Sequence, residues 1–490
     1  MALGKAKGNK SGGTSHWLIL IVLALAQFMI VLDVSIVNVA LPAIQKAFNM
    51  SQSNLQWIVT AYTLIFGGFL LLGGRAADLF GRRRLFLIGI ALFGVASLLD
   101  GLAQSGTMLI VLRGLQGFAG AMMSPAALSI VLVTYKEGHE RNVALSVWGA
   151  VASGGAAAGV LLGGILTEYL GWRWNFYVNV PVSIAVFIAA LKLLPAHESE
   201  ESHNNLDLPG AISITAALML LVYGLVEAPT NGWLAASTLQ FFGLSILLFG
   251  FFIANELSAK HPLIPLDIFK VRNIAASNLM QLPITAGLYS MFFFTSLYVQ
   301  TVLGYSPVKT GLSFLVIPVS IGIAATQVPR LIQRIGFKPI LMVAPLIVAS
   351  ALFYLAHIRV DGNYVRDILP GFILMGLGMG ATFVALTIAA TSGVDAKKSG
   401  LASGILNTSQ QIGGALGLAI LTGIATSTSL SYIKNLNGAP NRLATLTAQV
   451  NGYHAAFYVG ACFMIGAAII AAVLLKQEKV DPEAAAVSMH

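Results

Sequence analysis

The sequence is poor in charged residues and contains a single cysteine. Of its 490 residues, 10% are charged and 57% are apolar, whereas a soluble domain carries roughly 25% charged residues. Cys462, which lies inside an apolar run, is the one cysteine, so no intramolecular disulfide can form. The net charge of +9 comes from scattered residues, without a basic patch interleaved with aromatic residues. These absences argue against a soluble protein, a disulfide-stabilised protein and a nucleic-acid-binding protein.

Several catalytic and cofactor-binding motifs are also missing. No Gly-x-x-x-x-Gly-Lys-Ser/Thr segment is present, so ATP cannot bind in the P-loop manner. The eight histidines have no metal-ligand spacing. Gly376, Gly378 and Gly380 form part of a dinucleotide fingerprint, but no strand precedes them. We therefore expect neither an enzyme nor a bound metal or cofactor, and we expect an ion gradient or the substrate's own gradient to supply the energy.

Long apolar runs are what the sequence does contain, and its mean hydropathy is +0.82. About 20 apolar residues in a helix cross a bilayer. The run Trp17–Leu41 is too long for a signal-peptide core and has no Ala-x-Ala cleavage site. The chain is therefore predicted to be an all-α polytopic membrane protein. Fourteen spans are predicted near residues 17–41, 55–74, 85–104, 108–132, 143–166, 174–194, 208–227, 237–256, 275–300, 308–331, 337–357, 366–390, 400–424 and 454–475.

The orientation of these spans follows from the lysines and arginines in the connecting loops. An even number of spans places both termini on one side of the membrane. That side would hold 20 Lys and Arg residues, and the opposite side 7. Because positive loops stay in the cytoplasm, we expect a multi-pass protein of the cell membrane with both termini cytoplasmic.

Polar stretches divide the predicted spans into groups. The predicted organisation is a disordered cytoplasmic N-terminus (1–16), an N-terminal six-helix bundle (17–194), a cytoplasmic linker (195–207), an inserted helix pair (208–256), a second cytoplasmic linker (257–274), a C-terminal six-helix bundle (275–475) and a cytoplasmic tail (476–490). The inserted pair has no mechanistic explanation in the sequence.

An internal repeat supports the two six-helix bundles. At a constant offset of 255, Arg75, Asp78, Gly81 and Arg83 in the loop after the second span align with Arg330, Gln333, Gly336 and Lys338 after the tenth. At an offset of 254, Gly159 and Gly163 align with Gly413 and Gly417. Parallel repeats of this kind are typical of transporters that expose a midplane site alternately to each side of the membrane.

Five segments in this order resemble the major facilitator superfamily, in its fourteen-helix drug:proton antiporter branch (EmrB/QacA-like multidrug efflux transporters). They are Leu32–Pro42, Gly74–Arg84, Arg113–Gly117, Gly155–Gly164 and Gly171–Pro181. The resemblance implies two six-helix bundles with two inserted helices in a prokaryotic inner membrane. It also implies a proton-coupled exporter of lipophilic drugs or toxic small molecules, conferring antibiotic resistance by alternating access without a cofactor.

Asp33 and Arg113 are the predicted proton-coupling residues. Ionisable residues inside a membrane are costly and indicate function. Asp33 would lie roughly 12 Å and Arg113 roughly 8 Å inside the same face, so their side chains can meet. A nearby cation stabilises a carboxylate and burial destabilises it, so moving the arginine away would favour protonation. The alternative is a static buried pair that only fixes helix packing. The resembled family assigns proton translocation to this arginine.

The loop after the second span is a candidate conformational latch. An acid and arginines that meet across a helix–loop junction can hold two bundles together and separate when the charges become hydrated. The alternative is that these cations only set membrane topology. The resemblance implies the gating role. The residues concerned are Gly74, Asp78, Gly81, Arg82 and Arg83.

The fifth span carries a stripe of glycines at 155, 159 and 163, followed by Gly164. Glycines four residues apart make a flat helix face that a neighbouring backbone can approach closely. The alternative to a functional role is simple packing. The resemblance identifies this span as the antiporter signature, which seals the interface between the two halves. The family pattern often has proline after the central glycine, where this chain has Val160.

The predicted substrate cavity is mostly apolar with a few polar side chains. Some family members that export organic cations have a carboxylate where this chain has Thr60. By the predicted spans, Asp33 is the only acid deep in the membrane, since Asp100, Glu168, Glu227 and Glu256 fall near helix ends. Neutral or monovalent lipophilic substrates are therefore favoured over dications. The candidate cavity residues are Asp33, Tyr62, Gln116, Gln281, Tyr298, Asn407 and Gln411.

Two other functions stay open at this point. The protein could export a specific endogenous metabolite or lipid, or it could be an uncoupled facilitator. In each case the expected partners are a small lipophilic molecule, protons for the coupled forms, and the lipid bilayer, with no nucleic acid. We expect a monomer.

Overall fold

The computed structural model describes residues 12–135, 139–194, 207–260, 262–392, 396–436 and 441–477, and in these ranges the chain is helical without a strand. Residues 1–11, 195–206 and 478–490 lie outside the described residues. They include most of the predicted N-terminal segment, first linker and tail. Residues 12–16 were predicted to be disordered, but they are helical, since the first helix begins at Gly12 and not near Trp17.

Fourteen helices of the described chain are long and apolar enough to cross a membrane, as predicted. Most extend a few residues beyond the predicted spans. Their bounds are α1 (Gly12–Phe48), α2 (Gln52–Phe80), α3 (Arg82–Gly101), α4 (Gly106–Thr134), α5 (His139–Tyr169), α6 (Trp174–Leu193), α7 (Leu208–Asn231), α8 (Ala236–Ser258), α9 (Arg272–Val302), α10 (Pro307–Ile335), α11 (Phe337–Leu355), α12 (Tyr364–Thr391), α13 (Ala396–Lys434) and α14 (Arg442–Leu474).

The second predicted linker is shorter and more structured than expected. A 3-10 turn occupies Leu266–Lys270, and α9 begins at Arg272 instead of near residue 275. In addition, α9 ends and α12 begins with a π-helical turn, at Tyr298–Val302 and Tyr364–Ile368.

The repeat seen in the sequence is present in the backbone. Gly81 separates α2 from α3 with a φ of 93°, and Gly336 separates α10 from α11 with a φ of 79°. Side chains other than glycine rarely adopt this left-handed region. The two glycines therefore make the same sharp turn at equivalent places in the two halves.

The aligned glycines also make equivalent helix contacts. A Cβ built on Gly159 of α5 would lie 2.9 Å from the Leu32 carbonyl of α1, and one built on Gly413 of α13 would lie 2.6 Å from the Leu282 carbonyl of α9. Glycine thus lets α5 approach α1, and α13 approach α9, at backbone distance. These contacts make Leu32 and Leu282 equivalent positions of the repeat.

The inserted helix α7 lies against the seam between the halves, and α8 packs against α7. Gly68 of α2 is in contact with Thr215 of α7, and Gly423 of α13 lies near the Leu225 carbonyl of α7. The two inserted helices are joined at one end, where Asp207 accepts a hydrogen bond of 2.8 Å from the Gly210 amide and others of 2.8 Å from the Asn255 side chain of α8. The helix α7 therefore bridges α2 and α13.

The two halves are hydrogen-bonded at the end of the bundle opposite the chain termini, which we call the distal end. The Ser296 hydroxyl donates to the Asn38 carbonyl at 2.7 Å, and the Gln300 amide donates to the Val39 carbonyl at 2.9 Å. The Val308 amide donates to Glu168 at 2.8 Å. These contacts join α1 to α9 and α5 to α10, so the distal end is the closed end of this conformation.

Candidate functional site

Asp33 on α1 and Arg113 on α4 meet inside the first half, as their estimated depths predicted. Arg113 Nη1 lies 2.6 Å from Asp33 Oδ2, and the two residues are 1% and 0% exposed. A buried ion pair of this kind is stable only when the remaining donors and acceptors are also satisfied. The neighbouring residues largely meet that requirement.

The second oxygen of Asp33 accepts two further hydrogen bonds. Gln116 Nε2 and Asn179 Nδ2 each donate to Asp33 Oδ1 at 2.9 Å. Gln116 Nε2 also lies 2.8 Å from the Ser97 hydroxyl. The ionised form of Asp33 is thus held by one cation and two amide groups, which come from α4 and α6.

Arg113 is held from several sides as well. Its Nε donates to the Ile58 carbonyl at 3.1 Å, and its Nη1 donates to the Gln116 side-chain carbonyl. The guanidinium also lies over the ring of Tyr62, 4.4 Å from the ring centre. A cation over an aromatic face is stabilised by the ring's electron density. The arginine is therefore positioned by α2 and by α4 itself.

Asp100 corrects the prediction that Asp33 is the only deeply placed acid. Asp100 does lie one residue before the end of α3, but it is 0% exposed. Neither of its carboxylate oxygens has a hydrogen-bond partner within the described residues. The end of a helix is not the surface of the protein here, because α3 packs against α4 and α6 in this region.

The loop between α2 and α3 forms the predicted acid–arginine contact. Asp78 and Arg82 make an ion pair of 3.0 Å, with side chains 44% and 32% exposed. Arg83 donates to the Leu191 carbonyl of α6 at 2.7 Å, while Gly74 lies against Pro125 of α4. These contacts stay within the first half.

The glycine stripe on α5 and the interface between the halves lie on different faces of that helix. Gly155, Gly159 and Gly163 face α1, in the same half of the molecule. Of the four glycines, Gly164 is the one that faces the second half, where a Cβ would lie 2.5 Å from the Pro307 carbonyl. The stripe therefore packs α5 against the helix that carries Asp33, while Gly164 and the Val160 carbonyl, which faces Gly311 of α10, lie at the interface between the halves.

Besides Asp33, two of the predicted cavity residues belong to the ion-pair network. Tyr62 is 1% exposed and stacks on Arg113, while Gln116 is 0% exposed and binds Asp33. A third, Tyr298, lies near the distal end, where its hydroxyl donates to the Arg359 carbonyl at 2.6 Å. None of the three lines an accessible cavity in this conformation.

The remaining predicted cavity residues lie on α9 and α13. Gln281 is buried and Asn407 is exposed. Gln411 accepts a hydrogen bond of 3.2 Å from the Tyr289 hydroxyl, and its Cβ faces Gly67 of α2. Gln411 therefore lies where the two halves meet, and Tyr289 is a partner that sequence reasoning missed.

Sequence reasoning also missed Ser97 and Asn179 as members of the site. Asn179 stands inside the Gly171–Pro181 segment that carries the family resemblance, so a signal for it was present. Ser97 and Asp100 are three residues apart and thus share one face of α3. Polar residues at that spacing in an otherwise apolar span were the available signal. Within the described ranges, no three His, Cys, Asp or Glu side chains are grouped as metal ligands.

Comparison with known proteins connects this geometry to a family. The model of the Major Facilitator Superfamily matches residues 23–418. The puromycin resistance protein pur8 of Streptomyces alboniger is 38% identical over 462 residues, covering 94% of this chain and 90% of that protein. The cephamycin export protein CmcT of Amycolatopsis lactamdurans is 36% identical over 477 residues, covering 96% and 95%.

A solved structure supports the fold independently. The inward-facing structure of a bacterial homologue of the human lysosomal transporter Spinster has a TM-score of 0.67 and 16% identity, covering 95% of this chain and 97% of that one. The family match, the relatives and the fourteen-helix fold agree. The chain belongs to the Major Facilitator Superfamily and is a membrane transporter of that family.

Proposed function

We propose that the protein is a proton-coupled antiporter that exports lipophilic, antibiotic-like small molecules by alternating access. The names of its relatives, which are resistance and export proteins for puromycin and cephamycin, support export of such molecules. The observation that carries the proton coupling is the fully buried Asp33–Arg113 pair. Both termini and the loop with Asp78 would face the cytoplasm, and the distal end would face outward.

The coupling would use the hydrogen bonds of Asp33. In this conformation, Arg113, Gln116 and Asn179 stabilise the ionised carboxylate. These donors come from α4 and α6, so a shift of either helix against α1 removes some of them. A buried carboxylate without its partners becomes costly and takes up a proton. Proton binding and helix movement are thereby linked, as a coupled carrier requires.

The energy source would be the proton gradient, without a cofactor. One proton that moves through a membrane potential of 100 mV releases about 2.3 kcal/mol. That free energy supports a substrate gradient of about fifty-fold for each proton exchanged.

The substrate would bind between the halves, near α2, α9 and α13. Tyr289 and Gln411 offer polar groups there, and Asn407 is exposed on the same helix as Gln411. Asp33 is already neutralised by Arg113, so little negative charge is left to bind a dication. Neutral or singly charged lipophilic molecules fit this composition best. The Asp78–Arg82 loop would act as a conformational latch at the cytoplasmic end.

Transport in inside-out vesicles tests this proposal. Vesicles that carry the wild-type protein, Asp33→Asn or Arg113→Ala are energised by respiration, and uptake of a lipophilic dye is followed together with internal pH. We expect wild-type uptake to collapse when an uncoupler is added, and both variants to lose uncoupler-sensitive uptake. Asp361→Asn, in an exposed distal loop, is the matched control and should transport normally.

Two outcomes would contradict the proposal. Uptake that ignores the pH gradient, or normal coupled uptake by folded Asp33→Asn, points to a facilitator or to another coupling site. Normal coupling without any drug-like substrate among the compounds tested points to an exporter of one endogenous metabolite or lipid.

A further inference from the structure

Asp100 is a fully buried acid that has no ion-pair partner among the described residues. It is 0% exposed, and both of its oxygens lack a hydrogen-bond partner in the part of the chain that the structure describes. It lies within electrostatic range of Arg113 and Asp33. Ser97, one helical turn away on the same helix, accepts the hydrogen bond that links α3 to Gln116. Asp100 is therefore an uncompensated acid at the edge of the coupling network.

The charges of the buried site determine which protonation state of Asp100 is favoured. Arg113 is paired with Asp33 at 2.6 Å, and that pair is neutral. If Asp100 were also ionised, the buried site would hold two carboxylates and one guanidinium. An ionised carboxylate buried without hydrogen bonds or a partner costs several kcal/mol, whereas a protonated carboxyl costs far less. The chemistry of the site thus favours the protonated form of Asp100.

The other groups that face Asp100 leave this balance unchanged. On α2, Tyr62 stacks on Arg113 and carries no charge. On α6, Tyr177 packs against Gly101, and Lys192 lies at the opposite end of that helix. Just before α6, Arg173 donates to the Ala103 carbonyl at 3.1 Å and lies over the Trp172 ring. Among the described residues, Arg113 on α4 and Asp33 on α1 are the charged groups that interact with Asp100.

The position of Asp100 along α3 points to the side from which its proton would come. Gly101 ends the helix at the distal end, and Leu102 directly after it is 47% exposed. A small separation of the distal ends of the helices would therefore admit water to Asp100. In the present conformation that end is closed by hydrogen bonds between the halves.

We propose that Asp100 is a second proton-binding site of the transporter. It takes up a proton from distal water when the distal end opens, holds that proton on its carboxyl group when the end closes, and releases it toward the cytoplasmic end before the next opening. Each transport cycle then moves one proton on Asp100 in addition to the proton on Asp33. This inference rests on the proposed proton-coupled function and adds a second proton to its stoichiometry.

Infrared spectroscopy of the purified full-length protein tests the protonation directly, without any transport. At neutral pH, the wild-type protein should show the carbonyl stretch of protonated carboxylic acids, shifted in D2O, and this band should lose intensity in Asp100→Asn. The control Asp361→Asn should keep the band. If Asp100→Asn does not fold, Asp100→Ser serves as the second variant. An unchanged band in the folded Asp100 variant overturns the proposal.

Stoichiometry tests the exchange. In energised vesicles, the steady-state accumulation of substrate should follow the square of the proton gradient for the wild-type protein and its first power for Asp100→Asn. Coupled transport with equal stoichiometry in both proteins overturns the second site and leaves the proposed function standing. Transport that is uncoupled in the wild type contradicts the proposed function, and in that case the exchange at Asp100 is contradicted too, whatever the infrared band shows.

Discussion

The two halves of the molecule share their helix packing but differ in the chemistry at its centre. Leu32 of α1 and Leu282 of α9 make equivalent contacts with glycines of α5 and α13. The position after each leucine is Asp33 in the first half and Pro283 in the second. The acid of the buried ion pair therefore has an apolar, uncharged counterpart.

The arginine has an apolar counterpart as well. Gly117 of α4 packs against the Tyr62 carbonyl of α2, and Gly376 of α12 packs against the Ile317 carbonyl of α10. The residue four positions before each glycine is Arg113 in the first half and Phe372 in the second. Phe372 is fully buried, and its ring centre lies 5.0 Å from that of Phe314.

This difference bears on the alternative that the ion pair only fixes helix packing. The second half packs the same helices with an aromatic core at the equivalent place, so the packing itself does not require a charge. Replacing a buried ion pair by apolar residues is often neutral or stabilising. The comparison therefore supports a functional reason for Asp33 and Arg113.

The largest expected effect on stability comes from removing one charge of the ion pair, so that the first half resembles the second only in part. Arg113→Met leaves Asp33 as an unpaired buried carboxylate, which should destabilise the protein by about 3–5 kcal/mol. The double variant Asp33→Leu/Arg113→Met removes both charges and should recover most of that stability while remaining inactive. Melting temperatures in detergent measure the difference.

The equivalent position of the second half provides the control. Phe372→Leu removes only apolar contacts and should cost about 1–2 kcal/mol, since the cavity is small. A double variant that melts as low as Arg113→Met would show that the pair is needed for packing, and the comparison between the halves would fail.

An intermediate effect is expected at the glycine stripes. A Cβ on Gly163 would lie 2.8 Å from the Ile36 carbonyl, and one on Gly417 would collide with Ala286. Both Gly163→Ala and Gly417→Ala should therefore destabilise their halves by about 1–3 kcal/mol through overpacking. The outcome is read from melting temperatures of the purified variants.

Gly154 offers a matched control on the same helix as Gly163. Among the described residues, no neighbouring heavy atom lies within 4 Å of a Cβ at Gly154. Gly154→Ala should be neutral or stabilising by up to about 1 kcal/mol, because alanine favours the helix. A loss equal to that of Gly163→Ala would mean that helix flexibility, and not close packing, explains the stripe.

The smallest effect on stability is expected at the loop between α2 and α3. The Asp78–Arg82 pair is exposed, and such pairs contribute about 0–1 kcal/mol. Asp78→Asn gives the first half an uncharged side chain, as Gln333 does in the second half. We expect its melting temperature to stay nearly unchanged while its transport rate falls.

The transport rate is measured in the same vesicles, with Asp361→Asn as the control. Unchanged transport by Asp78→Asn would remove the support for a conformational latch. A large loss of stability would instead indicate a structural role for the acid.

Much of the fold could be predicted from the sequence because hydrophobic length and spacing are local properties. The fourteen spans, the repeat and the meeting of Asp33 with Arg113 followed from runs of apolar residues, aligned glycines and depth along a helix. The direction in which a side chain faces does not follow from these properties in a helix that is apolar on all sides. For that reason, Tyr62 and Gln116 were assigned to a cavity although both bind the ion pair.

Asp100 illustrates the same limit in the opposite direction. The sequence correctly placed Asp100 near the end of a helix. Whether that end is buried depends on how α4 and α6 cover it, which the sequence does not show. The place of Tyr298 could not be predicted for a similar reason, since its hydroxyl donates to the carbonyl of Arg359, which is 61 residues away in the chain.

The sequence by itself determined the membrane class and the number of spans, because a bilayer requires apolar helices of a given length. It also determined the two-fold repeat, because equivalent residues recur at a constant offset along the chain. Only the tertiary structure decided which polar residues bind one another, that the glycine stripe faces α1, and that Asp100 is buried without a hydrogen-bond partner among the described residues. Those facts depend on the rotation of each helix about its axis, which packing against neighbouring helices sets and which no local pattern in an all-apolar helix records.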